Sequence, residues 1–303
     1  MTKKDIISFR DRRIKTSEIA IAKEYREALD YVRQEMSKIY EKYATDGVLT
    51  YAEMTKYNRF NSLQKELIEE MNLKWKGIEK ETRLLVSEEY EESYFRHGYL
   101  LNKEIGINVN YGLIPNETIR SLFYEPNVSG LSLAETLGKT RYNLLLKERQ
   151  AMIQGFIRGD SYVNMIKNLK GEWNKSFNDI LRILKTEGGR ASTDGQLAVF
   201  DKAEEMGVEL DRIWVHALGG QKNPRSSHEA ADGQKADENG MFHVGGYTVP
   251  GPRKFGVAAE DINCLCDIIA KPKGTEFKVR RSNIGEKKII DYKTYEEWKK
   301  DQK

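Results

Sequence analysis

Residues 260–270 read EDINCLCDIIA, and this stretch contains both cysteines of the 303-residue chain. The alternation predicts a β-strand with Ile262, Cys264, Cys266 and Ile268 on one face, because residues two apart in a strand point the same way. A disulfide between the cysteines would be strained, since their Cα atoms would lie about 6.5 Å apart in an extended strand. Two interpretations remain open: buried core thiols, or thiolate ligands of a metal.

Histidines near the cysteines allow a metal site. Three of the four histidines lie in the same C-terminal region, namely His216, His228 and His243. Two thiolates could supply half of a tetrahedral zinc site. Cys264, Cys266 and His228 are therefore the candidate ligands of a possible zinc site. The C-x-C spacing differs from the C-x2-4-C of common zinc fingers, so core thiols remain the alternative.

The same region allows a catalytic interpretation. Arg225, His228, Asp232, Glu260 and Cys264 are candidates for a Cys/His nucleophile or an acid–base site. Such a site would make the protein a metal-dependent hydrolase or transferase, delivered as an effector. The sequence has no glycine-rich loop of the P-loop or dinucleotide type, and turn and capping roles explain these residues more simply.

Proline and hydrophobic patterning predict the fold class. No proline precedes Pro115, whereas three of six fall between Pro224 and Pro252, which predicts long helices followed by a turn-rich region. The segment DRIWVHAL (211–218) alternates as a strand does, and Gly245-Gly246 marks a hairpin. We predict an α+β protein, with a long, mostly α-helical N-terminal two-thirds followed by a small α+β C-terminal domain bearing a short antiparallel sheet.

The first helix carries a stripe of apolar residues with alternating three- and four-residue spacing. We predict that this stripe, which includes Tyr25, Leu29, Val32, Met36 and Ile39, binds a partner from an extended arm. An ordinary helix bundle is the alternative. Thr50 and Glu53 form a capping box that opens a second helix. Further along, Gly159-Asp160 separates two helices, and TEGGR (186–190) is a candidate for a kink or break.

These patterns divide the chain into four predicted parts. Residues 1–112 form the extended helical arm or hairpin, and 113–207 form a helical middle region. Residues 208–272 form the small α+β domain. Residues 273–303 form a basic tail with a hairpin and a short helix at YEEWKK (295–300).

Composition excludes several classes of protein. The 50 Lys+Arg against 47 Asp+Glu leave a net charge of +3, which is too small for a dedicated duplex-DNA coat. Basic segments at both ends leave non-specific DNA binding as an alternative. Two cysteines do not make a secreted disulfide framework. There is no signal-peptide-like start and no run of about 18 apolar residues, so we expect a soluble protein made in a cytosol, without a membrane partner.

Three C-terminal segments together resemble a known family. WVHALGGQKNPRSSHEAADGQ (214–234), MFHVGGYTVPGP (241–252) and AAEDINCLC (258–266) are similar to the signature domain of phage minor head proteins, the head-morphogenesis family that includes the F protein of phage Mu. The resemblance covers about residues 130–270. The family has an arginine between the cysteines, where this chain has Leu265. The matching positions are Trp214, Arg225, His228, Asp232, Gly233, Phe242, Pro250, Ile262, Asn263, Cys264 and Cys266.

The resemblance implies a structural protein and not an enzyme. Members of this family are minor capsid components inside the phage head, so it implies location in the virion interior and, during assembly, in the bacterial host cytoplasm. It also implies association with the portal protein, with the major capsid or scaffolding protein as further candidate partners. Some members bind DNA or leave with it at ejection, which implies packaged DNA as a partner held without sequence specificity.

Overall fold

The structure is a computed structural model that describes residues 3–105, 110–126, 130–216 and 224–274, together with the backbone of residues 279–281 and 289–291. Its elements follow one another as helices and then short strands. The short helix predicted at YEEWKK lies outside the described residues. The helices are α1 (Lys3–Tyr43), α2 (Tyr51–Thr55), α3 (Arg59–Ile105), α4 (Asn116–Tyr124), α5 (Leu133–Arg158), α6 (Tyr162–Glu205), α7 (Ser226–Ala230) and α8 (Ala258–Asp261).

Local sequence sets most of the helix ends. Thr50 caps α2 by accepting the backbone N–H of Glu53, as predicted. The helix that it opens is short, because positive φ angles at Tyr57 and Asn58 interrupt it before α3 begins. A full capping box at Ser132 opens α5. The predicted break at Gly159 is confirmed, since Gly159 has φ 70° at the C-cap of α5.

The prediction of a kink or break at TEGGR is wrong. Helix α6 continues through Gly188 and Gly189 without interruption. These glycines and Gly195 instead allow other parts of the chain to approach closely. A Cβ on Gly195 would lie 2.3 Å from the backbone oxygen of Tyr90 in α3, and one on Gly189 would lie 3.0 Å from the Arg253 side chain.

The apolar stripe of α1 lies inside the protein, as in the bundle alternative. Helix α1 packs against α3 and α6. Tyr25, Val32 and Met36 are buried in the core that these helices share, and Leu29 and Ile39 are partly buried against it. The stripe is thus not a free partner-binding face, because burying it within the chain already removes its apolar surface from water.

The C-terminal region contains three antiparallel strand pairs within the described residues. Strand β1 (Leu210–Val215) pairs with β4 (Asp267–Pro272), with Trp214 opposite Ile268. The predicted hairpin at Gly245-Gly246 joins β2 (Phe242–Val244) to β3 (Tyr247–Val249). In the tail, β5 (Val279–Arg281) pairs with β6 (Ile289–Asp291). The predicted fold class, a long helical region followed by a small part with short antiparallel sheets, is confirmed.

The cysteines do not lie in a strand, contrary to the prediction. Strand β4 begins at Asp267, after both of them. Helix α8 comes just before, and Asn263 has the left-handed φ of 57°, which an extended strand does not allow. Cys264 and Cys266 are nevertheless both buried, while Leu265 between them is 40% exposed. The alternation of burial survives although the strand does not.

A second core joins the C-terminal region to the helices. Trp214, Phe242 and Cys266 lie in this core with Phe200 of α6 and Tyr94 of α3. The small sheets therefore use the ends of two long helices as a packing surface. Among the described helices, none has an apolar stretch long enough to cross a membrane. The four-part division of the chain remains a prediction.

Candidate metal centre

His228, Cys264 and Cys266 form a compact group. His228 lies in α7, and its Nδ1 is 3.5 Å from the Sγ of Cys264 and 3.5 Å from the Sγ of Cys266. All three candidate ligand atoms lie within 4.8 Å of one another. A tetrahedral zinc site with Zn–S of about 2.3 Å and Zn–N of about 2.0–2.1 Å places S and N about 3.5 Å apart. The spacing therefore fits tetrahedral zinc, and the group could hold such a metal.

Glu260 fixes the orientation of the histidine ring. The Nε2 of His228 lies 2.9 Å from the Oε2 of Glu260. Because a carboxylate only accepts hydrogen bonds, Nε2 carries the proton, and the lone pair of Nδ1 faces the sulfur atoms. A carboxylate on the outer nitrogen is the usual support of a metal-binding histidine. Phe255 stacks on the imidazole with ring centroids 5.1 Å apart and holds the plane of the ring.

Arg225 holds the segment that carries Glu260. Its Nε donates to the carbonyl of Ala259 at 2.6 Å, and its Nη2 donates to the carbonyl of Ile262 at 2.7 Å. The same guanidinium lies 3.7 Å from the Glu260 carboxylate. These contacts tie the loop before α7 to α8 and the turn after it, so the histidine and the cysteine segment keep a fixed spacing.

The pKa values of the two thiols are shifted in opposite directions. The hydrogen bond with Cys266, together with the charge of Arg253, lowers the pKa of Cys264 well below its ordinary value despite burial. The same bond, and then burial, raise the pKa of Cys266. Cys264 is thus the more acidic thiol of the pair. Since the thiolate is the form that binds metals, this polarisation favours a cation at the cluster.

Arg253 was not among the predicted site residues, although it holds the cysteine segment. Its Nη1 donates to the backbone carbonyls of Cys264 and Cys266, at 2.9 Å each. Its Nη2 donates to the Oγ1 of Thr193 in α6 at 2.7 Å. The side chain is fully buried, and burial lowers its pKa. The only sequence signal was its position in the turn PGPRKFG, which does not reveal a buried contact.

The other signature residues support the cluster. Trp214 packs edge-on against His228, with ring centroids 5.7 Å apart, and against Phe242 at 5.4 Å. Asp232 accepts the backbone N–H of His216 at 2.8 Å, and Gly233 donates its N–H to the carbonyl of Trp214. Pro250 follows β3, and Asn263 forms the left-handed turn before Cys264.

The structure brings together four of the five catalytic candidates, Arg225, His228, Glu260 and Cys264, and leaves His243, another histidine of this region, outside the group. His243 is exposed on β2 and contacts Asp237 and Thr248. Asp232 is occupied by a backbone group. His228, Cys264 and Cys266 are 2%, 4% and 0% exposed, so a substrate could not reach them without a rearrangement. Structural zinc sites are closed in this way, whereas catalytic sites keep an open position.

Comparison with known proteins gives a match along nearly the whole chain. The chain is 26% identical over 303 residues to the minor head protein GP7 of Bacillus phage SPP1. This alignment covers 99% of this chain and 97% of GP7. The chain is a distant homologue of a phage minor head protein. This relationship agrees with the family resemblance over about residues 130–270 and extends the similarity to the helices before residue 130.

A second relative has an enzymatic name. The chain is 28% identical over 274 residues to the NAD(+)–arginine ADP-ribosyltransferase EFV of Enterococcus faecalis. That match covers 90% of this chain and 55% of the transferase, so this chain spans about half the length of that relative. No family model matches the chain, and no solved structure matches it.

Proposed function

We propose that this protein is a minor head protein of a tailed phage or prophage, which associates with the portal protein inside the head. The observation that carries the proposal is the end-to-end match to GP7, with 99% of this chain and 97% of GP7 aligned. Because this chain aligns with nearly the whole length of GP7, it has a counterpart of every large part of GP7 that such a function would need. The proposed location is the virion interior, after assembly in the bacterial host cytoplasm.

Physical features of the chain support an assembly role. The four helices α1, α3, α5 and α6 form one long bundle that presents extensive polar surface for protein contacts. The near-balanced charge suits a protein that assembles first with other proteins, the major capsid or scaffolding protein included. Contacts with packaged DNA would use phosphates, without base recognition.

The test is co-expression with the portal protein encoded beside this chain, followed by size-exclusion chromatography with mass detection. Co-elution in a defined complex is expected. A deletion of residues 1–110 is unsuitable, because it removes α1 and α3 and exposes the core face of α6. Absence of association with the portal protein, and also with complete procapsids, would contradict the proposal.

The enzymatic alternative has one observation in its favour, the similarity to the enterococcal transferase. The alignment with GP7 covers nearly the whole length of GP7, whereas the alignment with the transferase covers only 55% of the length of the transferase. We infer that the shared segment is the head-protein part and that transfer activity requires the remainder. Purified chain supplied with NAD+ and an arginine-containing acceptor is expected to transfer no ADP-ribose. Transfer that is lost in His228→Ala, with the fold intact, would establish the alternative.

We further infer that zinc is the metal of the cluster, with the imidazole Nδ1 of His228 and the thiolates of Cys264 and Cys266 as ligands. Two soft thiolates and an imidazole favour zinc over magnesium or calcium, which prefer oxygen. When bound, zinc would crosslink α7 to the segment that leads into β4 and so stabilise the small C-terminal fold. Purified protein is expected to carry about one equivalent of zinc.

A further inference from the structure

A cavity of about 440 Å³ lies between α1 and α6, far along the chain from the cysteine cluster. Its apolar lining comes from Ala22, Tyr25 and Leu29 of α1 and from Trp173 and Phe177 of α6. Tyr25 and Leu29 belong to the apolar stripe of α1, so the cavity is the place where that stripe approaches the surface. Its volume falls in the range of ligand pockets, about 300–1,000 Å³.

The rim of the cavity is basic. Arg26, Arg33 and Lys170 line it, with Asp30 as the only carboxylate among its lining residues. Asp30 is paired with Arg33, at 2.9 Å. Arg26 and Lys170 are exposed, and neither has an ion pair within the described part of the chain. The rim therefore attracts a negatively charged group.

Two residues that line the cavity, Trp173 and Arg33, also hold buried donor atoms. Within the ranges that the structure describes, the Nε1 of Trp173 and the Nε of Arg33 are buried without a hydrogen-bond partner. Native proteins leave few buried donors unsatisfied. Trp173 is 2% exposed and donates only through this nitrogen. Because both atoms are buried, an acceptor in the cavity reaches them only when the lining side chains move.

We propose that this cavity binds an acidic segment of a partner protein, with an apolar side chain against the half-buried Ala22, Leu29 and Phe177 and flanking carboxylates at the basic rim. Single-stranded nucleic acid would also bring negative charge and acceptors. It binds by stacking bases on exposed aromatic faces, however, and Tyr25 and Trp173 are only 7% and 2% exposed. This site does not depend on the proposed function, because any partner with such a segment would satisfy it.

The test pans a library of random 12-residue peptides against the full chain and against the double variant Arg26→Glu/Lys170→Glu. Both residues are exposed, so the fold is expected to survive. Lys147→Glu/Arg149→Glu, a charge reversal at exposed positions of α5, is the matched control. Peptides rich in Asp or Glu around an apolar residue should be enriched on the wild type and on the control. These peptides should bind the double variant Arg26→Glu/Lys170→Glu, called the groove variant, about tenfold more weakly than the wild type. Their binding to the wild type should also weaken as the salt concentration rises.

The proposal would be overturned if acidic peptides were enriched equally on the wild type and on the groove variant. It would also be overturned if no acidic peptides were enriched. A thymidine oligonucleotide that binds the wild type but not the groove variant would also overturn it and make the cavity a nucleic-acid site. The portal experiment separates this inference from the proposed function. If the groove variant still co-elutes with the portal protein, the head-protein role stands, and the portal does not supply the segment.

Discussion

Arg253 and Thr193 join the cysteine segment to the helical bundle through a buried 2.7 Å hydrogen bond from Nη2 to Oγ1. Arg253 also holds the carbonyls of both cysteines, so one guanidinium links helix α6 to the segment that carries two of the candidate metal ligands. Geometry at the cluster and packing on the helices are thereby coupled.

Arg253→Ala is expected to lower the free energy of unfolding by about 3 kcal/mol or more, because it removes a buried, hydrogen-bonded group and leaves two carbonyls unsatisfied. Thr193→Val removes only one acceptor and should cost about 1–3 kcal/mol. Denaturant unfolding measures both. If both substitutions changed the free energy of unfolding by equally small amounts, the contact between Arg253 and Thr193 would contribute little to stability.

Cys264→Ser and Cys266→Ser are expected to reduce bound zinc from about one equivalent to a small fraction, since serine is a poor zinc ligand. Each should also lower the melting temperature, because metal binding stabilises the folded state. Elemental analysis and calorimetry measure the two effects. Wild-type protein that is metal-free after purification and that does not gain stability from added zinc would leave the cysteines as core thiols.

Glu260→Gln is expected to weaken zinc affinity about 10- to 100-fold, because the carboxylate orients His228 and increases its basicity. Glu238→Gln, at an exposed position, is the control and should have no effect. Competition with a chromophoric chelator measures the affinities. An unchanged affinity in Glu260→Gln would mean that the ring is held by Phe255 and Trp214 alone.

Glu148 in α5 gives the protein a predicted pH dependence. Burial raises its pKa to about 8, and its Oε1 has no hydrogen-bond partner among the described residues. The folded state therefore keeps a proton that the unfolded chain loses above its ordinary pKa. Stability should fall as the pH rises from about 4.5 towards 8, by up to several kcal/mol.

Glu148→Gln should remove this fall and become more stable than the wild type at pH 8. Glu117→Gln, at an exposed position of α4, should follow the wild-type profile. Urea unfolding between pH 5 and 8.5 measures both. A wild-type profile parallel to that of Glu148→Gln would contradict the raised pKa.

Gly195→Ala tests the close contact of α6 with α3. Its Cβ would lie 2.3 Å from the Tyr90 oxygen, so the helices must separate, and a loss of about 1–3 kcal/mol or more is expected. Gly171→Ala in the same helix meets nothing within 4 Å and should stabilise by up to about 1 kcal/mol. Thermal unfolding of the pair measures the difference, and two stabilised variants would show that the helices have room to adjust.

Local signals predicted the elements that depend on neighbouring residues. The cap at Thr50, the break at Gly159 and the hairpin at Gly245-Gly246 each follow from side-chain capping or from glycine's freedom at positive φ. Pairs that are distant in the sequence carry no such signal. The glycines of TEGGR were wrongly predicted to break a helix, because the close approach of Arg253 to Gly189 involves a residue 64 positions away in the chain.

The sequence alone determined the succession of a long helical region and a small α+β part, and the residue types of the candidate metal centre. These depend on periodicity, turn chemistry and composition, which act over a few residues. The tertiary structure decided that the α1 stripe is buried within the bundle, that Glu260 and Arg253 hold the cluster, and that a basic cavity remains between α1 and α6. Those outcomes depend on which surfaces meet, and packing of the whole chain settles that.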